Sequence, residues 1–283
     1  MKQLLILSGK GGTGKTTVAS AFIELSKVEA FADCDVDAPN LHLVMSQLPE
    51  SKKTDYYGFG KAVIDVEKCI RCGLCEKHCY FGVIKDFEVS ILKCEGCGVC
   101  AEICPVQAIT MEDYVSGDMM LYKNEESVFS TAELKMGSGA TGKLVMAVKE
   151  QLKQEAPDSK FVIIDGSPGI GCPVIASING VDFVLVVAEP SVSGIHDMKQ
   201  IIDTSKHFDV SCAVCINKYD VNIEATNEIE SYCSSLSVPI VGKIPFDSTV
   251  VKAVNQCQTI AAYPDSLAGK AIVSVWNKVR NMI

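Results

Sequence analysis

Residues 8–17 read Ser-Gly-Lys-Gly-Gly-Thr-Gly-Lys-Thr-Thr and follow directly on the apolar run Gln3-Leu-Leu-Ile-Leu7. No other segment restricts the fold so tightly. A glycine, four residues and then Gly-Lys-Thr form a phosphate-binding loop when a strand enters it and a helix leaves it. The pattern therefore predicts a short buried strand over residues 3–7 and an amphipathic helix beginning near Lys15. Gly11, Gly12, Thr13 and Gly14 can wrap backbone N–H groups around a phosphate chain, assisted by the helix N-terminus. Lys15 is placed to reach β- and γ-phosphates, the Thr16 hydroxyl to ligate magnesium (Mg2+), and Thr17 to line the same turn.

Acidic residues follow two further strands. Val28 to Ala32 read as the second strand, ending in Asp33-Cys-Asp35-Val-Asp37. Carboxylates gathered after a strand suit a magnesium shell and a water-orienting base. Phe161-Val-Ile-Ile-Asp165 is an apolar strand ending in an acid, the Walker B pattern, and Gly166-Ser-Pro-Gly169 follows as a switch loop. Strands near 182–187, 211–216 and 238–242 alternate with helical segments. This predicts an α/β fold with a mostly parallel sheet covered by helices on both faces. A second glycine-rich stretch, Gly137-Ser-Gly-Ala-Thr-Gly142-Lys143-Leu144, reads as a loop entering a helix over 143–152. Leu144 cannot ligate magnesium, and no apolar strand is expected before this stretch.

Lys10 adds a second lysine near the start of the phosphate loop. The segment Lys10-Gly-Gly-Thr-Gly-Lys-Thr16 resembles the deviant loop of the MinD/ParA/Mrp superfamily, to which nitrogenase iron protein also belongs. The resemblance covers nearly the whole chain. It implies ATP hydrolysis by an ATP-sandwich homodimer in which Lys10 crosses the interface to the partner's nucleotide. It also implies catalytic roles for Lys10, Lys15, Asp35 and Asp165, with Asp35 positioning the attacking water and Asp33 near the magnesium. In MinD-like ATPases an asparagine at a strand end reads adenine. Asn217 takes that place, with a second contact from the loop carrying Pro245, Phe246 and Asp247. The base stays open at this point, because Asn217-Lys-Tyr-Asp220 also matches the guanine-reading Asn-Lys-x-Asp of GTPases. The proline-containing loop, and the lack of a downstream Ser-Ala-Lys element, favour ATP.

The middle of the chain carries a different chemistry. Cys69, Cys72, Cys75 and Cys79 are spaced x2, x2, x3; Cys94, Cys97, Cys100 and Cys104 repeat that spacing, with Pro105 after the last. Cys79-Tyr-Phe-Gly-Val-Ile84 also mirrors Cys104-Pro-Val-Gln-Ala-Ile109. Soft thiolates at this spacing suit iron–sulfur clusters. Two four-cysteine zinc sites are the alternative, but zinc ligands usually pair across a longer loop. The runs resemble bacterial two-cluster ferredoxins, with Tyr80 standing where proline is usual. The resemblance implies two 4Fe–4S clusters whose fourth ligands are exchanged: Cys69, Cys72, Cys75 with Cys104, and Cys94, Cys97, Cys100 with Cys79. It makes residues 58–113 an inserted ferredoxin-like α+β domain, and residues 1–57 with 114–283 a P-loop ATPase domain.

Charge and cysteine usage narrow the setting. With a net charge of −9 and no basic run, the chain is not expected to bind nucleic acid, as ParA-type relatives do. Met1 to Leu7 reads as a strand rather than a signal peptide, and no apolar segment approaches membrane-spanning length. Ala271 to Ile283 reads as a packed final helix, so no stable membrane association is expected. Fourteen cysteines imply a reducing, cytoplasmic setting. Cys212 and Cys215 would face opposite sides of a strand as core residues, and Cys34, Cys233 and Cys257 read as buried. Cys172 follows the switch loop and could face a dimer axis, and His78 reads as a surface residue. Two functions remain: an ATP-switched dimer passing electrons through two clusters to a redox or metalloprotein partner, or an ATPase that assembles or delivers an iron–sulfur or metal centre.

Overall fold

The computed structural model describes residues 1–45 and 48–283. Strand β1 (Lys2–Leu7) leads through the phosphate loop into α1 (Lys15–Ser26), then β2 (Ala30–Asp33), the single turn α2 (Leu41–Val44) and β3 (Ser51–Tyr57). The cysteine segment holds β4 (Lys61–Ile64), α3 (Leu74–His78), β5 (Ile84–Lys85), β6 (Glu88–Val89), α4 (Val99–Glu102) and β7 (Ile109–Glu112). A hairpin of β8 (Val115–Lys123) and β9 (Val128–Leu134) returns the chain to α5 (Thr141–Glu155). Alternation then sets in with β10 (Phe161–Asp165), α6 (Cys172–Ile178), β11 (Phe183–Ala188), α7 (Val192–His207) and β12 (Ser211–Asn217). The chain closes with α8 (Ile223–Ser235), β13 (Ile240–Ile244), α9 (Ser248–Asn255) and α10 (Leu267–Val279).

Among the described residues, nine strands form one sheet in the order β13-β12-β11-β1-β10-β2-β9-β8-β3. From β13 to β9 the pairings are parallel; β8 and β3 extend the edge antiparallel. The central strands are apolar throughout because both their faces are covered, leaving little place for alternation. Leu5, Val145, Ile178 and Ile202 belong to the core under α5, α6, α7 and α8. Leu4, Phe22, Ile163 and Trp276 belong to the core on the opposite face, under α1 and α10. Cys212 packs on the first face and Cys215 on the second, as their three-residue separation requires.

Two strands, one helix start and one cysteine depart from the sequence expectation. Residues 51–57 are polar, yet form β3, because an edge strand needs little apolar surface and its lysines discourage further pairing. A strand, β9, does precede the glycine-rich stretch at 137–142. Its buried Ser130 hides the apolar pattern, and its single hydroxyl proton has two acceptors on α5, the Val148 carbonyl oxygen at 2.9 Å and the Gln151 side-chain oxygen at 2.7 Å. The helix after it begins at Thr141, two residues before the expected start. Cys257 is exposed rather than buried, sitting past the end of α9 with a φ of 53°.

The cysteine segment enters after β3 and leaves before β8, neighbouring strands at the sheet edge. It has two small antiparallel pairs, β4–β7 and β5–β6, and a core of its own that includes Ala62, Val83, Ile84 and Ile109. Its second run packs on Phe59 at the segment's own entry and on the loop after β9. A Cβ on Gly96 would lie 2.6 Å from the Phe59 Cβ, and one on Gly137 would lie 2.7 Å from the Leu92 carbonyl oxygen. The Lys143 ammonium stands 4.1 Å from the Phe59 ring centroid.

Phe129 of β9 joins the antiparallel edge to the parallel sheet. Fully buried, it stacks on Phe31 at 4.9 Å and on Tyr122 at 5.1 Å between ring centroids. Phe129→Ala should therefore cost about 3–5 kcal/mol in urea unfolding; a loss below about 1 kcal/mol would show that this junction does not hold the sheet together.

Candidate functional site

Open parallel sheets bind ligands at the carboxyl ends of their strands, where the connections diverge to opposite sides. The chain runs from β10 to β11 across β1, and the cleft lies there, with a volume of about 330 Å³. Residues 10–17 of the phosphate loop line it, joined by Ser8, Asp35, Asn40, Pro168 and a far wall that includes Val250, Val254 and Thr259. That far wall belongs to α9 and the segment after it, and no sequence motif pointed to it.

Strand register brings the acids together. Ile6 pairs with Asp165 across β1 and β10, and Asp165 pairs with Asp33 across β10 and β2. Lys15, the first residue of α1, sends its ammonium to Asp165 at 2.6 Å, and the Thr16 hydroxyl donates to the same carboxylate at 2.7 Å. Asp33 is already engaged: it accepts the backbone N–H groups of Asp35, Asn40 and Leu41 at 2.9–3.0 Å and does not line the cleft. Its position braces the loop that carries Asp35 into the cleft. Asp37 is exposed.

Lys10 is folded back on its own chain. Its ammonium pairs with Glu189 at 2.5 Å and donates to Ser191 and Ser193 at 3.2 and 3.3 Å. Burial works to raise the Glu189 carboxyl, but Lys10 and Lys218 outweigh it and hold it below the usual carboxylate range. Neither Glu189 nor these serines stood out in the sequence, because the pairing spans 179 positions from Lys10 to Glu189 and follows from the β1–β11 register.

The residues expected at the base are bound to protein groups. The Asn217 amide donates to the Thr13 carbonyl at 2.7 Å, and Gly14 makes room for it: a Cβ there would lie 2.3 Å from the amide nitrogen. Lys218 donates to the Gly12 carbonyl at 2.8 Å. Asp220 accepts the Phe246 N–H at 2.7 Å, and Asp247 caps α9 while accepting the Ala268 N–H. Asn217, Pro245, Phe246 and Asp247 do not line the cleft. Asn217 and Lys218 instead clamp the phosphate loop to β12.

The eight cysteines divide between two small cavities. Cys69, Cys72, Cys75 and Cys104 line one, with Ile64, Phe87 and Pro105. Cys79, Cys94, Cys97 and Cys100 line the other, with Ala62, Val83 and Val99. Among the described residues, no three His, Cys, Asp or Glu side chains converge as they would around a single metal ion. The donor set nonetheless fits a cluster, whose body holds its thiolates apart: each cavity is apolar-walled with four cysteines, and the Ala108 N–H donates to the Cys104 Sγ at 3.2 Å. His78 is exposed, with Nδ1 2.9 Å from the Leu74 carbonyl oxygen. Cys172 is exposed at the start of α6.

The model of the CobQ/CobB/MinD/ParA nucleotide-binding domain matches residues 4–260. The chain belongs to that family. An uncharacterized protein of Methanocaldococcus jannaschii is 30% identical over 99% of this chain and 97% of its own length. A Pyrococcus furiosus iron-sulfur cluster carrier protein is 23% identical over 99% of this chain and 86% of its own length. Among solved structures, the Pyrococcus furiosus cell division ATPase MinD superposes with a TM-score of 0.59 at 18% identity, covering 100% of this chain and 99% of that one. MinD with Mg-ADP from Pyrococcus horikoshii gives 0.57 at 18% identity, covering 99% and 96%. The MinD likeness is one of fold: an α/β sheet, mostly parallel, flanked by helices. No helix among the described residues is long and apolar enough to cross a membrane.

In this MinD/ParA-type cleft, three carboxylates share one buried ammonium. Burial works to lower the Lys15 pKa, but Asp165, Asp33 and Asp35 together outweigh it and raise it. Burial first, then the charge of Asp165, pushes Asp33 up to about 7; burial likewise pushes Asp35 up to about 6. A carboxyl whose folded pKa is raised binds a proton more readily folded than unfolded, so its stabilisation is lost as pH rises. The empty protein should thus lose stability steadily from about pH 4 to about pH 7. Urea unfolding of the wild type and Asp33→Asn across pH 4–8 checks this. The substitution should flatten the profile, and equal slopes in both proteins would remove Asp33 as the cause.

Proposed function

We propose that the chain is an ATP hydrolase that couples nucleotide state to iron–sulfur chemistry in residues 58–113. The nucleotide half rests on the family and on the cleft lined by the phosphate loop. ATP with magnesium would occupy that cleft, with phosphate oxygens replacing Asp165 as the partners of Lys15. Magnesium would neutralise developing charge there, and Thr16 and Asp165 are the groups placed to hold it. Asp35 would orient the attacking water, with its raised pKa suiting proton exchange near neutrality. Lys10 would leave Glu189 to reach the nucleotide of a second copy, giving an ATP-dependent homodimer.

The iron–sulfur half rests on the two four-cysteine cavities. Clusters held there would supply one-electron transfer. The observation that carries the coupling is a chain of contacts between cavity and cleft. Gly96, beside Cys97, packs on Phe59; Phe59 lies under Lys143; and Gly142, next to Lys143, packs against Cys172 past the switch loop, where a Cβ on Gly142 would lie 3.3 Å from the Cys172 carbonyl oxygen. A change at Gly166 to Gly171 therefore has packed neighbours through which to reach the second cavity. Electron transfer to a redox or metalloprotein partner is the reading we favour, since buried cysteines such as Cys75 and Cys94 suit resident clusters. Delivery of a cluster to a target is the second reading, favoured by the carrier proteins among the relatives.

Anaerobic redox titration in MgADP and then in a non-hydrolysable MgATP analogue tests the coupling. It should move at least one couple about tenfold in its equilibrium, which is about 59 mV for one electron. Unchanged potentials, together with loss of iron to an apo-acceptor protein, would sink the electron-transfer reading in favour of delivery. Lys15→Ala should lower phosphate release by at least about 100-fold. Hydrolysis at the wild-type rate would remove this cleft as the site.

A further inference from the structure

Two lysines are buried among the described residues, and their surroundings differ. Lys15 is ringed by carboxylates. Lys61, at the start of β4 and 4% exposed, has none: its ammonium donates to the Cys94 carbonyl and stands 5.3 Å from the centroid of the Tyr114 ring. Its cross-strand neighbour Glu112 is exposed, and none of the ion pairs among the described residues involves Lys61. A buried ammonium satisfied by one carbonyl and an aromatic face is under-compensated, because desolvating a charge is costly unless an opposite charge meets it.

The Cys94 carbonyl places that ammonium beside the cavity of Cys79, Cys94, Cys97 and Cys100. A cluster on four thiolates carries net negative charge, and one more unit when reduced. Resting on the iron–sulfur reading above, we propose that Lys61 is the counter-ion of the second cluster and raises its reduction potential above that of the first. With clusters bound, one electron from a low-potential one-electron donor would then be held by the cavity of Cys79, Cys94, Cys97 and Cys100, the one whose Gly96 packs on Phe59 beneath Lys143. Two charges beside the cavities do not cancel this. Glu95 lines the second cavity but is exposed, and Arg71, 5.7 Å above the Phe87 ring by the first cavity, is exposed as well, so solvent and salt screen both.

The test uses the full chain with its clusters, prepared anaerobically, with iron and sulfide counted first. Absence of clusters from the wild type would overturn the iron–sulfur reading itself. With clusters present, dithionite titration followed by electron paramagnetic resonance should resolve two couples. The higher should vanish in Cys97→Ser and persist in Cys72→Ser; the reverse assignment overturns the proposal without touching the wider reading. Lys61→Gln keeps a hydrogen-bond donor for Cys94 and removes the charge. It should lower the Cys97-dependent couple by about tenfold in equilibrium, about 59 mV, while Lys61→Arg holds it near the wild-type value. An unchanged couple in Lys61→Gln, or equal shifts of both couples, would refute the charge effect. Should Lys61→Gln fail to load clusters, the Cys97→Ser and Cys72→Ser assignment decides alone.

Discussion

The parallel pairing of β2, β10 and β1 sets two carboxylates side by side, and Lys15 is what makes that tolerable. Asp33 and Asp165 occupy paired positions at adjacent strand ends, both fully buried. Unscreened like charges at such a spacing would oppose the register that buries them. Lys15 begins α1, so a single turn of loop places a buried cation against Asp165. Asp33 turns the other way, spending both oxygens on three backbone N–H groups and fixing the path to Asp35. Burial first, and then the charge of Asp165, keeps Asp33 and Asp35 raised, and one ammonium does not offset both. A dication bound nearby would relieve the same deficit, so metal and fold would stabilise each other.

The cysteine segment is attached where attachment disturbs least. Tyr57 and Val115 are paired across β3 and β8, so the chain leaves the sheet and returns to it at neighbouring points. Closing a long loop between ends already held together costs little beyond the logarithm of its length. The segment also carries a core of its own, separate from the two that cover the nine-stranded sheet. What joins the two includes a small set of contacts: Lys143 over Phe59, and Gly137 against Leu92. Contacts of that size can change without unfolding either side, which a coupling device needs.

The phosphate loop, the acid-ended strands and the parallel sheet were legible because each needs a fixed order of residue types over a short span. Asp33, Asp35, Asp165 and Lys15 were named from such spans, and the structure brings them around one cleft or onto its supports. Asn217 was named as well, but its amide holds the Thr13 carbonyl, a contact 204 residues away that no local pattern encodes. Glu189 escaped notice for the same reason. Strand β9 was missed because Ser130 satisfies its hydroxyl on α5 rather than on water, so a polar letter stood for a buried position. Lys61 carried no signal in the sequence. Its burial depends on Tyr114 and Cys94, both distant in sequence.

The two lysines of the phosphate loop are held with very different strength, and this orders what can happen in the cleft. Lys15 and Asp165 are nearly or wholly removed from solvent, at 6% and 0% side-chain exposure. Separating them without a replacement would strand a buried charge at a cost of about 3–5 kcal/mol. Lys15 can therefore leave Asp165 only as a phosphate arrives. Lys10 is 36% exposed against a Glu189 that is 17% exposed, and pairs this open to water are worth about 0–1 kcal/mol. Glu189 also keeps Lys218 at 3.5 Å, so losing Lys10 does not leave it unpaired. Lys10 is thus free to move at small cost, which the proposed reach to a second copy's nucleotide would require. The tight lysine reports that the cleft is filled, and the loose one is available to respond to what comes to its rim.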